Sequence, residues 1–442
     1  MNILVLDVYP DVDYRISKDQ NGGYGTANNY GNTIFTKFLK LIVSKSIDFP
    51  PLFTVQVIGE LKSSNHNVKF SKKIPTNVHD FDFVIIASSI VCHETEIETI
   101  KKVKSYNKVV FAIGPFATSN PDNYLKAGAK VLIGEPEMFF HKFDLSMGEI
   151  SNLPDKITNL NSIDINELSD PGWDTIFENY IPKFKFLSNN PSVNINASRG
   201  CPYTCFYYCV YPLQQGRKLR LKNPDKLLNE MKNLKEKLGV KNFIFRDPVF
   251  SINKKHTIEI LNKIILSKIN VNICIETHLK NIDDSLAKLL KNAGVKLVYV
   301  GIESADEDVR YNSNRQSEAN DAQIQKINFL ESIGIKVKAM YILGLPTDSK
   351  KTFSKTLDYA KKVNSSYAQF SVFTPYPGTP AFSDYKDKIK VERYEDFTQW
   401  QLVFDHPNFT KKDIDNILSS AYRSYYLNPK WIIKFLKGKF FS

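Results

Sequence analysis

Through residue 145 the chain alternates short, nearly uninterrupted apolar runs with longer amphipathic stretches. That is the pattern of a parallel sheet covered on both faces by helices. The apolar runs predict strands over 2–9, 67–70, 82–88, 108–114 and 130–134, and helical periodicity predicts helices over 33–43, 52–61, 93–106 and 121–129. Five strands so interleaved predict a doubly wound α/β domain, which takes ligands at the carboxyl edge of its sheet. The loops on that edge read NGGYG (21–25), SSIVCH (88–93), IGPFATSNP (113–121) and GEPE (134–137). Each alone is ordinary turn chemistry, but four glycine- and hydroxyl-bearing loops on one rim predict a ligand site.

Residues 146–190 lose this periodicity and gain Asp, Asn and Pro, which predicts a linker. A second series follows, with strands predicted over 193–198, 242–247, 271–277, 296–302, 336–343 and 367–374, and helices near 224–238, 254–267, 282–293, 318–333 and 349–363. Six βα repeats predict a partial barrel over 191–384, its chemistry on the loops leaving the carboxyl ends of the strands. From 385 onward the chain is helical and aromatic, ending NPKWIIKFLKGKFFS. There Trp431, Ile432, Phe435, Leu436, Phe440 and Phe441 alternate with Lys430, Lys434, Lys437 and Lys439. The pattern suits an anionic membrane surface and, equally, a helix docked on the protein's own body.

Composition changes this picture little. Hydrophobic content of 42% and aromatic content of 12% suit a packed globular protein, and no apolar run is long enough to predict a bilayer-spanning helix. The start, MNILVLDVYPDVD, lacks the basic region of a cleaved signal, and five cysteines, three of them clustered, do not resemble a secreted disulfide framework. The expected compartment is the cytoplasm. The net charge of +12 comes from lysines spread along the whole chain, which describes a solvated surface, and no nucleic-acid partner is expected.

The candidate chemistry is concentrated in GCPYTCFYYC, where Cys201, Cys205 and Cys209 fall within nine positions directly after the first predicted barrel strand. Three thiolates on one loop suit a soft metal or an iron–sulfur cluster. Closed zinc sites want four ligands, commonly as paired cysteines, whereas Cys92 and Cys274 stand alone as small buried hydrophobes. The set therefore suggests a four-iron cluster with one iron open to a reactant.

The segment resembles the cluster loop of the radical SAM superfamily, whose usual spacing is C-x3-C-x2-C with an aromatic before the third cysteine. Here the spacing is C-x3-C-x3-C, with Tyr208 before Cys209. FRDPVF (245–250), VGIESADEDV (300–309), LGLPTDS (343–349) and TPYPGTPAF (374–382) resemble further segments of that superfamily at successive strand ends. IGPFATSNPDNYLKAGAKVLIGEPE resembles the Rossmann-like cobalamin-binding domain that precedes the barrel in one branch. Together the similarities span roughly residues 1–385, in that branch's domain order.

The resemblance implies a cobalamin-binding domain (1–145), a linker (146–190), a partial (β/α)6 radical SAM barrel (191–384) and a C-terminal helical extension (385–442). It implies that Cys201, Cys205 and Cys209 ligate a 4Fe-4S cluster whose open iron chelates S-adenosylmethionine, from which one electron releases a 5′-deoxyadenosyl radical. S-adenosylmethionine contacts are expected from Tyr208, Asp247, Gly301, Glu303, Ser304 and Pro375, and cobalamin contacts from Gly22, Gly23, Ser88, Ser89, Gly114, Thr118 and Glu135. Asp247 and Glu303 are equally placed to cap the helices that follow them. Glu276, Thr277 and His278 are expected to face the same cavity, and His93 either approaches cobalamin or simply opens a helix. No D-x-H-x-x-G cobalt-ligand motif occurs, and no residue is singled out for the chemical step itself.

The implied activity is methyl transfer to an unactivated carbon of a small-molecule or lipid-linked substrate, with an external donor such as flavodoxin or ferredoxin. Ring formation with the same cofactors, and a non-catalytic protein with an impaired cluster loop, remain open. So does the extra residue before Cys209: either the loop bulges and still presents three sulfurs, or Tyr208 displaces the third.

Overall fold

The structure is a computed structural model that describes every residue except 29, 32, 45, 159–163, 316, 441 and 442, and only the backbone of 206 and 438–440. Phe441 and the side chains of Lys439 and Phe440, part of the C-terminal aromatic–basic pattern, therefore lie outside the described residues.

The first half builds a parallel sheet from β1 (Asn2–Leu6), β2 (Asn67–Ser71), β3 (Phe83–Ala87), β4 (Val109–Ile113), β5 (Lys130–Ile133) and β6 (Lys156–Thr158), in the spatial order β2-β1-β3-β4-β5-β6. Leu4 pairs with both Lys69 and Val84, Ile85 with Phe111, and Val131 with Lys156. Side chains of β1 and β3 are buried on both faces, as their unbroken apolar runs require. β1 ends at Leu6, earlier than its apolar run, because Asp7 turns inward to meet Lys18. The sixth strand was not anticipated: it comes from the segment expected to be a linker.

The second half curls β7 (Ser188–Ile195), β8 (Asn242–Phe245), β9 (Asn272–Thr277), β10 (Val295–Glu303), β11 (Lys336–Leu343) and β12 (Tyr367–Val372) into a parallel half-barrel in sequential order. Val193 pairs with Phe243, Cys274 with Leu297, and Met340 with Gln369. Helices cover the outside, each with the local signals expected of it. In Pro224–Leu238, Asn223 accepts from the N–H groups of Asp225 and Lys226, proline occupies the first turn and left-handed Gly239 closes the end. The sheet continues past β7 through the antiparallel pair Lys183–Phe184 and Ile47–Asp48. Ile47 and Asp48 come from the N-terminal half, so the two halves share a sheet edge.

Four helices frame the sites described below: α1 (Ile34–Ser44), α2 (Tyr211–Gln215), α3 (Lys411–Tyr426) and α4 (Pro429–Phe440). α3 covers the open barrel edge, where strand backbone would otherwise lie unpaired. The Tyr422 hydroxyl accepts from the Phe370 N–H (3.0 Å) and donates to its carbonyl (2.7 Å), and Tyr426 does the same for Ala368 (2.9 and 2.8 Å). α4 docks by one face, with Trp431 Nε1 donating to the Ser366 carbonyl (3.2 Å) and Lys434 paired to Glu331. Its other face leaves Ile433 54% and Leu436 47% exposed. No described helix is long and apolar enough to cross a membrane.

Tyr422→Phe strips both polar partners from the buried backbone of Phe370, an expected cost of about 1–3 kcal/mol. A urea-denaturation midpoint unchanged from wild type would show that the tyrosine hydroxyls do not seal this edge.

Candidate functional site

The cysteine loop is held by a small clip. Ser198–Arg199 pairs antiparallel with Arg220–Leu221, returning the chain to the barrel mouth. Gly200, between the clip and Cys201, has φ +84°, and a Cβ there would lie 2.1 Å from the Lys218 carbonyl oxygen, so only glycine fits. After Cys201 a 3₁₀ turn, Thr204–Tyr207, leads to Tyr208 and Cys209, whose N–H groups both point at the Cys205 carbonyl at 3.2 Å. The extra residue is thus taken up in a tight turn, and the side chains of both Tyr208 and Cys209 face the barrel cavity.

Burial raises the pKa of all three thiols; the neighbouring Cys205 adds to the rise at Cys201 and Cys209, Glu303 adds to it at Cys205, and the Arg315 guanidinium works in the opposite sense at Cys201 and Cys205. Among the described residues no three His, Cys, Asp or Glu side chains close around a common point. Coordination by a metal would deprotonate the three thiols. As a donor set, three soft sulfurs on one irregular loop fit an iron–sulfur cluster.

The barrel cavity has a volume of about 180 Å³ and is lined by Tyr208, Cys209, Arg246, Glu276, Glu303 and Lys338, among others. Glu303 ends β10 at φ +68°, unusual for a non-glycine residue, where the register to β11 shifts between Gly301 and Glu303. Arg315 supports that turn, lying 3.5 Å from the Glu303 carboxylate and donating to the Gly301 carbonyl (2.8 Å). Burial pushes the Glu276 carboxyl up to about 7 against the pull of Arg246, and burial together with Arg15 pushes Lys338 down to about 8. The cavity thus holds an acid and a base that both exchange protons near neutrality.

Other expected contacts lie elsewhere. Asp247 is fully buried and accepts from Ser198 Oγ (2.6 Å) and the Ala197 N–H (3.0 Å), so its oxygens secure the start of the cysteine clip. Ser304 Oγ shares a hydrogen bond with Thr356 (3.1 Å) and accepts from the Asp306 N–H (3.1 Å), turned away from the cavity. Gly301 offers its carbonyl to Arg315, and Pro375 stands between Thr374 and Tyr376, which do line the cavity. Thr277 pairs with Ser251, and His278 Nδ1 accepts from the Lys280 N–H (3.3 Å). Of these third-strand residues Glu276 alone is among the lining groups.

The carboxyl edge of the N-terminal sheet faces the barrel across a seam of about 30 Å³, lined in part by Gly22, Gly23, Glu135 and Glu137. The expected polar contacts there are engaged by protein. Ser88 Oγ accepts from the Ala117 N–H (3.0 Å), Ser89 donates to Glu96 (3.0 Å) and Thr118 Oγ1 accepts from the Gly134 N–H (3.1 Å). Gly114 is required by packing, since a Cβ at its φ of +113° would lie 2.6 Å from the Phe53 ring. His93 Nε2 meets Asn123 (3.1 Å) inside a cluster with Phe116, Tyr124 and Tyr394.

Glu135 belongs to a buried ion cluster that crosses the seam. Arg199 binds Glu135 (3.0 Å) and Glu137 (2.9 Å), and Arg220 binds Glu135 (2.6 Å). Yet Glu137 Oε2, Gln214 Nε2 and Arg246 Nε, from residues lining the same seam, are buried without a hydrogen-bond partner. Orphaned polar atoms there fit a polar ligand that would complete their bonding. Tyr211 of α2 and Arg246 line both seam and barrel cavity, separating the two spaces by single side chains.

Sequence reasoning missed the arginines. Arg199 and Arg246 each stand one position from a singled-out segment or residue, Gly200–Cys201 and Asp247, a signal that was available. Arg315 lies in the polar sequence stretch NSNRQS, and nothing in the neighbouring sequence marks it.

Residues 195–360 match the Radical SAM superfamily. An uncharacterized methyltransferase of Pyrococcus horikoshii is 27% identical over 80% of this chain and 81% of that protein. The bacteriochlorophyllide d C-12(1)-methyltransferase of Chlorobaculum tepidum is 25% identical over 83% of this chain and 82% of that protein. The fold is similar to that of the radical S-adenosylmethionine methyltransferase TsrM of Kitasatospora setae, solved with cobalamin and a 4Fe-4S cluster bound, at a TM-score of 0.63 and 13% identity over 87% of this chain and 78% of that one.

Arg199→Met leaves Glu137 buried without its cation, an expected loss of about 3–5 kcal/mol of stability by urea denaturation. Glu276 gives a second test. The unfolded chain loses this proton near 4.5 and the folded one near 7, so folding is penalised progressively as pH rises across that interval. Stability falls over the same interval, and Glu276→Gln flattens the fall; an identical pH profile in the variant would remove Glu276 as its source.

Proposed function

We propose that this chain, whose residues 195–360 match the Radical SAM superfamily, is a cobalamin-dependent radical SAM enzyme that transfers a methyl group to an unactivated carbon of a small molecule. The observation that carries this reading is the adjacency of two spaces: a barrel cavity edged by the cysteine loop, and a seam with orphaned polar groups, divided only by Tyr211 and Arg246. Relatives that carry methyltransferase names favour methyl transfer over ring formation.

In this reading Cys201, Cys205 and Cys209 hold the cluster, Tyr208 and Glu303 face S-adenosylmethionine, and Gly301, Ser304 and Pro375 support that wall from behind. When bound, the cluster and S-adenosylmethionine supply hydrogen-atom abstraction, and cobalamin supplies the methyl group. The protein's own residues orient and exclude. Arg315 fixes Glu303 in its strained conformation, leaving a carboxylate to receive ribose hydroxyls or to face a sulfonium charge. Asp247 acts indirectly, by securing the turn that feeds the cysteine clip. Gly22, Gly23 and Glu135 line the cobalamin seam, and Ser88, Ser89, Gly114 and Thr118 support the loops of that rim from within the protein's own packing. Glu276 and Lys338 hold protons beside the substrate position.

An external one-electron donor of the flavodoxin or ferredoxin class completes the reading. The exposed face of α4, with Ile433 and Leu436 beside Lys430 and Lys437, supports peripheral contact with an anionic membrane from the cytoplasmic side.

Anaerobic wild-type protein is expected to carry near-stoichiometric iron for a four-iron cluster; Cys209→Ala loses most of it, and Cys92→Ala, outside the loop, keeps it. Iron unchanged in Cys209→Ala would remove Cys209 from the ligand set. Label from methyl-labelled S-adenosylmethionine is expected in the product, and an unlabelled cyclised product would overturn methyl transfer.

A further inference from the structure

A third cavity, of about 400 Å³, lies behind the barrel and is larger than the two spaces already described. Its walls are mostly apolar, with Phe35, Leu39 and Val43 of α1 facing Tyr426 of α3 and Trp431 and Phe435 of α4, and they also include the buried, mutually bonded pair Arg15 and Asn28. Its inner end is different. Gln20, Tyr299, Lys338 and Gln369 line both this cavity and the barrel cavity, so the two are separated by one layer of side chains. In that layer Lys338 Nζ sits 4.6 Å from the centre of the Tyr299 ring.

The outer end reaches the surface. Phe38 is 59%, Ile42 43% and Phe435 40% exposed, although all three line the cavity. α1 has only Thr36 buried, an unusual condition for so apolar a helix. A packing void would be small and sealed by core residues. This space instead has the size of a ligand pocket (roughly 300–1,000 Å³), an apolar lining, a mouth between α1 and α4 and a polar inner end against the reaction chamber.

We infer that the substrate is an amphiphile whose hydrocarbon portion lies in this cavity, with its polar, reacting end passed inward to the barrel past Lys338 and Tyr299. The inference deepens the methyl-transfer reading by naming its substrate class, and it rests on that reading for the reaction but not for the binding. The three spaces then form a series: the methyl source in the seam, the reacting carbon in the barrel and the apolar portion behind it.

Trp431 in the cavity wall makes the inference testable without knowing the substrate. A dibrominated stearate, titrated into the full-length anaerobic protein, is expected to quench tryptophan fluorescence saturably, with less quenching in Trp431→Phe. Straight-chain alkanols are expected to compete, each added methylene tightening binding about fourfold until the cavity is full and the gain stops. Ile42→Asp, at the exposed mouth, is expected to weaken binding roughly tenfold with an unchanged melting temperature. Val43→Phe, inside, is expected to shorten the chain length at which the gain stops.

Quenching that never saturates, a gain that continues at every chain length, or binding indifferent to both α1 variants would overturn the inference. Iron content and S-adenosylmethionine cleavage measured on the same samples separate the two readings. Saturable binding by protein that neither holds iron nor cleaves S-adenosylmethionine defeats the reaction and leaves the cavity's role standing. Labelled methyl transfer without saturable binding does the reverse.

Discussion

The buried ion cluster across the seam sets the geometry on which the rest depends. Arg199 directly precedes Gly200 and Cys201, and its guanidinium is clamped by Glu135 and Glu137 of the N-terminal domain. Charges so far from water are tolerable only when fully paired, so the two domains must meet in register for any of the cluster to persist. The same contact therefore places the cysteine loop against the seam. Arg246, reaching Asp19 while also lining the barrel cavity, makes a second such contact between the two halves. The domains are fastened by the residues that border their cavities.

Some of the structure's local imperfections fall at the seam and the barrel cavity. Glu303 occupies a backbone conformation ordinarily left to glycine, Glu276 and Lys338 are held near neutrality, and Glu137, Gln214 and Arg246 each bury an unpaired atom. Away from the seam and the barrel mouth, edge backbone is scrupulously satisfied, as the tyrosines of α3 show on β12. At the seam, the unpaired atoms of Glu137, Gln214 and Arg246 are ones that a bound polar molecule could complete.

Much of the architecture was legible because it is written in local signals. The apolar runs of β1 and β3, the cap at Asn223 and the stop at Gly239 each follow from a few neighbouring residues. The short strand Lys156–Thr158 and the pair Lys183–Phe184 with Ile47–Asp48 were not legible. Two or three residues carry no periodicity, and their pairing is decided by an open sheet edge contributed from elsewhere in the chain.

The site divides the same way. The sequence by itself determined the cysteine trio, the glycine before it, the strand-end position of Glu303 and the composition of the rim loops, because these depend on spacing within one segment. Only the tertiary structure decided which of those groups face the cavities. It turned Asp247, Ser304 and His93 into supporting contacts, drew Glu135 into an ion cluster, brought Arg199, Arg246 and Lys338 to the chambers from separate strands and loops, and set Arg315 behind Glu303. The physical reason is that a side chain's role follows from which partner reaches it first. For buried charges and hydroxyls that partner is usually supplied by a distant part of the chain, as Glu135 is for Arg199.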